Sequence, residues 1–274
     1  MNSLGYLGPE GTYTEIAARE CNGEIDKYIA FDDIRTLFMA VKEKEVEQAI
    51  VPLENSLEGA VTLTLDLLVE IDLQITDEII IPINHSLIAN KDLELSEIKN
   101  VISHPQALAQ CRNFLQENLT DYKVNTASST AEAVKQITKL DESWAAIANH
   151  KLADFYPVEV LTEMIQDNKD NWTRFVILGR NQTEITGNDK TSLILSPGRD
   201  KPGNLYKILR EFARRNINLT RIESRPAKKK LGDYIFFIDC EGHYQQEKLA
   251  NVLEDLEEKT KWLKVLGSYP KAEI

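Results

Sequence analysis

Between Leu4 and Leu178 short apolar runs alternate with segments of helical period, and this alternation restricts the possible folds more than any other feature. LGYL precedes TEIAAREC, YIAF precedes IRTLFMAVKE, and QAIV precedes GAVTLTLDLLVE. NVIS then precedes PQALAQCRNFLQE, KVNT precedes TAEAVKQITKL, and WAAIAN, VEVLTEMI and RFVILG close the series. Strands alternating with helices of this length predict βαβ units around mainly parallel sheets. Residues 1–180 are assigned to this α/β part.

The stretch GRNQTEITGNDK is polar, carries two glycines and lacks periodicity, so residues 181–190 read as a linker. Beyond it, in residues 191–274, the pattern changes. TSLILS reads as a strand, and Leu205, Ile208, Leu209, Phe212 and Ala213 then share one helical face. NLTRIES, YIFFIDCE, a second helix through Leu249 to Leu256, and WLKVLGSY complete a ferredoxin-like βαββαβ order. Its two helices would cover one face of a four-stranded antiparallel sheet and leave the other face to a partner. Lys228-Lys229-Lys230 read as a hairpin loop.

Charge narrows the class of ligand. Acidic residues outnumber basic ones 44 to 32, a formal net charge of −12, which argues against general binding to nucleic acid or to an anionic membrane. Arg199 to Lys230 holds eleven basic and three acidic residues, yet it lacks an aromatic ladder and reads as a solvated face. Cys21, Cys111 and Cys240 are odd in number and far apart, so a disulfide framework is not expected and a reducing cytosol fits. Four histidines without HxH or HExxH spacing predict no metal site. No leader-like start is evident, and the longest apolar runs are too short to span a bilayer.

Polar clusters fall at the strand-to-helix junctions: GPEGTYTE (Gly8 to Glu15), PLENSLEG (Pro52 to Gly59), SHPQAL (Ser103 to Leu108) and SSTAE (Ser128 to Glu132). Each can be an ordinary helix cap. The same geometry makes a helix start a receptor for carboxylates or phosphates, so several starts facing one cleft would let an acidic protein hold an anion. Pro52 to Ser56 delivers an acid, an amide and a hydroxyl at a strand's C-terminal end, where open α/β sheets place their chemistry. Thr173 and Arg174 open the apolar strand Phe175 to Leu178. Thr173 suits a strand entrance and Arg174 can face water, or both serve a site. His85 and His104 each stand alone and read as structural histidines or acid–base groups. In Ile222-Glu223-Ser224-Arg225-Pro226, proline ends a strand after charged residues, which fits an edge strand or a binding loop.

With these stretches in order, the chain resembles monofunctional prephenate dehydratases that carry a C-terminal ACT regulatory domain. GPEGTYTE, PLENSLEG, HPQAL, STAEA, the pattern I-x-D-x-x-x-N-x-T-R-F over Ile165 to Phe175, and IESRP carry the resemblance, which covers essentially the whole chain. It implies two α/β lobes arranged like periplasmic binding proteins, an active site between them, and an ACT domain at 191–274. The implied reaction is that of a carbon–oxygen lyase of phenylalanine biosynthesis, turning prephenate into phenylpyruvate, carbon dioxide and water without cofactor or metal. Thr173 matches the family residue that assists the departing hydroxyl, and Glu54, Asn55 and Gln106 match other catalytic positions, with Glu54 a candidate proton source. Thr12, Ser56, Ser129, Thr130, Arg174 and Phe175 are the implied substrate contacts, Arg174 holding a carboxylate. Gly203, Asn204, Leu205, Glu223, Ser224, Arg225 and Pro226 match effector-contacting motifs for an amino acid, usually phenylalanine, bound between two ACT domains. A homodimer or homotetramer is therefore expected. The family's usual G-A-L-V is G-N-L-Y here, through Asn204 and Tyr206. No room for a fused chorismate mutase precedes Leu4, so a monofunctional enzyme is expected. Two other readings are a non-catalytic amino-acid sensor of the same architecture and an arogenate dehydratase.

Overall fold

Each apolar run named above forms or contains a strand in the computed structural model, which describes residues 2–21, 23–91, 93–197, 201–227 and 233–273. The expected hairpin loop Lys228-Lys229-Lys230 and Arg199 lie outside the described residues. The chain begins with β1 (Ser3–Leu7), α1 (Tyr13–Arg19), β2 (Lys27–Phe31), α2 (Ile34–Lys42), β3 (Gln48–Asn55), the short β4 (Gly59–Ala60), α3 (Thr62–Glu70) and β5 (Gln74–Pro82). It crosses into a second lobe made of β6 (Ser86–Ala89), β7 (Asn100–Ser103), α4 (Pro105–Gln110), α5 (Arg112–Asn118), β8 (Lys123–Thr126), α6 (Thr130–Ile137), β9 (Trp144–Ala148) and β10 (Glu159–Thr162). It then returns to the first lobe as β11 (Trp172–Gly179).

The first lobe's sheet runs β2-β1-β3-β11-β5, with β4 beside β3. The second runs β10-β6-β9-β7-β8. In the first path only β11 opposes its neighbours, the short β4 also running antiparallel to β3, and in the second only β6 does, so the expected mainly parallel sheets are present. Helix starts follow their caps: Asp33 accepts from Thr36 N–H at 2.9 Å and Ser129 from Glu132 N–H at 3.0 Å. The two crossovers between lobes, residues 83–85 and 163–171, bond to each other. Ile83 N–H donates to the Asn171 carbonyl at 2.8 Å, and Ile165 N–H to the His85 carbonyl at 2.9 Å. The cleft between the lobes opens beside this double strap.

The C-terminal domain contains β12 (Asp189–Ser196), α7 (Asn204–Arg214), β13 (Leu219–Pro226), β14 (Tyr234–Glu241), α8 (Glu247–Lys259) and β15 (Trp262–Pro270). Its sheet order is β13-β14-β12-β15, antiparallel throughout, which is the expected βαββαβ arrangement. Strand β12 begins at Asp189, inside the stretch read as linker. Asp189 accepts from the Thr186 and Gly187 amides and so turns the chain into the strand. Ile208, Phe212, Leu249, Val252 and Leu256 from the helices cover one face against Leu193, Leu195 and Ile238.

The other face, expected to await a partner, is covered by the chain's own first lobe. Ile194, Phe237, Leu266 and Tyr269 pack with Leu65, Leu68, Ile71, Leu73 and Ile75 in one core. Each such side chain contributes about 1.5–3 kcal/mol of burial. Gly267 permits the approach. At φ +149°, a Cβ there would sit 2.1 Å from the Ile75 carbonyl oxygen. Strand β12 is buried along its whole length because it has neighbours on both faces. A period of two places alternate side chains on opposite faces but does not say what covers each face.

Candidate active site

Strand alternation decides what the cleft receives. Thr173 pairs with Asn55 across β11 and β3, and the next pair, Arg174 with Glu54, points to the opposite side of the sheet. Asn55 and Thr173 therefore line a cavity of about 480 Å³ between the lobes, together with Thr12, Gln106, Ser129, Thr130 and Phe175. Asn55 Oδ1 accepts from the Leu57 and Glu58 amides, both at 3.0 Å, which fixes the orientation of its amide. Its Nδ2 then donates to Thr173 Oγ1 at 2.9 Å, as well as to Asn171 Oδ1 and the Trp172 carbonyl. With its oxygen occupied as an acceptor, the Thr173 hydroxyl has its proton to offer to the cavity.

The second lobe supplies the facing wall. Gln106 follows Pro105 in the first turn of α4, and Gln110 lies one turn further along the same helix. Gln110 Oε1 accepts from Asn171 Nδ2 at 3.1 Å and from His85 Nε2 at 3.0 Å. A chain of side-chain amides thus runs from Thr173 through Asn55 and Asn171 to Gln110 and His85, joining both lobes and the strap. Burial holds the His85 imidazole below its ordinary pKa despite the opposing bond to Gln110, so the ring is neutral at pH 7. The Tyr13 hydroxyl donates to the Asn84 carbonyl, and burial pushes its pKa up. Among the described residues lining the cavity, none is lysine or arginine. An anionic ligand would meet hydroxyls, amides and the start of α6, whose Ser129 oxygen already caps the Glu132 amide.

Three sequence-predicted positions do not line the cavity. Arg174 is 6% exposed and turned away from the cleft, donating through Nε to Glu78, through Nη1 to Glu54 and Asp239, and through Nη2 to Tyr269. Neighbouring residues on a strand face opposite ways, so Thr173 and Arg174 cannot both enter the cleft. The same rule removes Glu54. Its carboxylate is held by Arg174 at 2.9 Å and by Arg221 at 2.7 Å, on the side of the sheet away from the cavity. Ser56 donates to the Asp170 carbonyl and accepts from the Trp172 amide, fastening the loop after β3 to the strap.

A sequence profile described as Prephenate dehydratase matches residues 4–183, and one described as ACT domain matches residues 198–258. The chain belongs to the prephenate dehydratase family. A prephenate dehydratase of Methanocaldococcus jannaschii is 43% identical over 270 residues, covering 97% of each chain. A bifunctional chorismate mutase/prephenate dehydratase of Aquifex aeolicus is 44% identical over 269 residues, covering 98% of this chain and 74% of the relative. A solved prephenate dehydratase of Arthrobacter aurescens, in complex with L-Phe, superimposes with a TM-score of 0.90 at 39% identity, covering 98% of this chain and 90% of that one.

Within this prephenate dehydratase fold, Gln110 and Asn171 are cleft or network residues that sequence reasoning did not select, whereas His85, read as a structural histidine or an acid–base group, joins the network through Gln110. Two signals for them were present: Gln110 stands four residues after Gln106 on one helix, and Asn171 is the asparagine of the N-x-T-R-F pattern. Of the effector motifs, Gly203 takes φ +82° to open α7, and Glu223 to Pro226 occupy β13, which has β14 as its one paired neighbour among the described residues. Arg225 donates to Thr62 and Asp66 of α3, so it is bound to its own catalytic part. Among the described residues no group of three or more His, Cys, Asp or Glu side chains could hold a metal ion, and no helix is long and apolar enough to cross a membrane.

Proposed function

We propose that the cleft converts prephenate to phenylpyruvate, with Thr173 as the group that assists the departing hydroxyl and Asn55 as the group that orients it. The observation that carries this reading is the directed bond from Asn55 Nδ2 to Thr173 Oγ1 at the cavity floor, because it turns a weakly acidic alcohol into a fixed donor. In the reaction the bond to the ring carboxylate breaks, its electron pair enters the ring, and the C–O bond opposite breaks as oxygen takes a proton. Carbon dioxide and water leave, and aromatisation supplies the driving force. Thr173 donates to the oxygen as negative charge develops on it. A positioned donor of this kind contributes about 10²–10³-fold in turnover.

Substrate carboxylates are met without a fixed cation. Ser129 and Thr130 at the start of α6 bring hydroxyls to the cavity wall and Gln106 its side-chain amide, while Thr12, which also lines the cavity, spends its hydroxyl proton on the Leu7 carbonyl. Phe175, nearly fully buried, gives the ring an apolar wall. Because the Arthrobacter relative that superimposes on 98% of this chain is in complex with L-Phe, and an ACT domain profile matches residues 198–258 here, we extend phenylalanine control to this chain, through Gly203 to Leu205 and Glu223 to Pro226. The outer edge of β13 supports pairing with a second copy. Three free thiols support a reducing, cytoplasmic setting.

The test is direct: purified protein with prephenate should yield phenylpyruvate, and added L-phenylalanine should change the rate. Absence of phenylpyruvate, with arogenate also untouched, would overturn the catalytic reading and leave a sensor. Faster turnover of arogenate than of prephenate would reassign the substrate.

A further inference from the structure

Between the first lobe and the C-terminal sheet lies a cluster of three cations and three anions, Arg174, Lys190 and Arg221 with Glu54, Glu78 and Asp239, buried except at Glu54, which is partly exposed. Arg174 Nη1 lies 2.6 Å from Asp239 Oδ2, and its Nη2 donates to the Tyr269 hydroxyl at 2.8 Å. Arg221 Nε lies 2.7 Å from Glu54 Oε2, and Lys190 Nζ lies 2.6 Å from Glu78 Oε1. Ser192 closes the set, donating to Asp239 at 2.5 Å. None of these side chains lines the cavity.

We propose that Asp239, Tyr269 and Arg221 of the C-terminal domain are positioning residues for the dehydration, acting through Arg174 and Glu54 to hold the Thr173–Asn55 pair. The proposal rests on the roles given above to Thr173 and Asn55. Two features of the strand pair carry it. First, the clamped residues are the chain neighbours of the reacting pair: Arg174 follows Thr173, Glu54 precedes Asn55, and the two stand opposite each other in the ladder. Second, the ladder itself is interrupted there. The register shifts between Arg174 and Phe175, leaving Leu53 as the extra residue, and Phe175 pairs with Pro52, which has no N–H to give. The outer ladders to β5 and β4 continue past this point, so the interruption falls between β11 and β3 themselves, and the cluster ties those two strands together from the far side of the sheet. Glu54 and Arg174 are also where β13 and β14 act on one place, since Arg221 lies on β13 and Asp239 on β14. Strand β13 carries Glu223 to Pro226 as well, so a displacement of that strand reaches Asn55 through a single ion pair.

The experiment compares the parent protein with Asp239→Asn and Tyr269→Phe, both nearly isosteric and both remote from the cleft. The readouts are kcat and KM for prephenate and hydrogen exchange of segments 54–56 and 172–175. The expected result is a fall in kcat of about tenfold or more with KM changed far less, because misplacing a reacting group by about 1 Å can cost on the order of 10²-fold. Exchange should quicken in those two segments while β7 and β9 of the second lobe keep parental rates. If Asp239→Asn fails to fold, Tyr269→Phe, which removes one neutral hydroxyl, decides the matter. Folded variants with parental kcat, or with exchange unchanged in both segments, would overturn the proposal. An inactive parent would instead sink the assignment of function, and that outcome is separate because it is read before any variant.

Discussion

Replacing Thr173 by valine isolates the hydroxyl, since valine keeps the shape and the β-branching that the strand favours. Thr173 is 8% exposed, so the added methyl remains inside a packed wall. The change does not orphan Asn55, whose Nδ2 keeps Asn171 Oδ1 at 2.7 Å and the Trp172 carbonyl at 3.1 Å. Stability should therefore fall by no more than one ordinary hydrogen bond, about 0.5–1.5 kcal/mol. Turnover loses a donor aimed at developing charge, worth about 2.7–4 kcal/mol or 10²–10³-fold in kcat. KM should move little, because the donor matters most once the C–O bond is breaking. Phenylpyruvate absorbance gives the rate and thermal unfolding gives the stability, while Thr173→Ser, which retains the oxygen, should recover most of the activity. A folded Thr173→Val protein with kcat within about threefold of the parent would refute the reasoning, since that is less than about 0.7 kcal/mol.

Gly267→Ala should weaken docking of the C-terminal domain: its Cβ would meet the Ile75 carbonyl oxygen at 2.1 Å, a backbone atom that cannot swing aside. A lowered melting temperature with faster exchange in β5 and β15 checks this, and unchanged melting would count against the tight approach. For His85, burial lowers the folded pKa below the ordinary 6.5, so its contribution to stability is complete above 6.5 and is lost as pH falls from there through the folded value. Nitrogen-detected NMR should show the proton of the neutral ring on Nε2 and a protonation midpoint below that of a free imidazole. Burial raises the Cys21 thiol to about 12 and raises Cys111 and Cys240 as well, so the native protein should resist alkylation near neutral pH while the unfolded chain is labelled at all three. Rapid modification of Cys111 or Cys240 in folded protein would contradict their burial.

Local pattern made much of this architecture legible. The apolar runs marked the strands, Ser129 with Glu132 marked the start of α6, and the change of pattern after the linker separated a ferredoxin-like domain from the α/β part. The cleft residues at junctions were also visible, because Thr12, Gln106, Ser129 and Thr130 sit where a strand hands over to a helix and a βα end faces outward. Arg174 and Glu54 were misplaced for one shared reason. A motif places neighbouring residues in one phrase, whereas the pleat sends them to opposite sides of the sheet. Gln110 and Asn171 went unselected because their use depends on His85 and Asn55, contributed from distant stretches of the chain.

Sequence by itself determined which residues could form strands, helices and caps, since these depend on contacts a few positions apart, and it determined the family through motifs in fixed order. Tertiary structure decided which side of each strand met the cleft, what covered the second face of the C-terminal sheet, and where Arg174 found its counter-charges. Those outcomes depend on how whole sheets pack, and burying an ion requires partners that only the assembled fold can bring together.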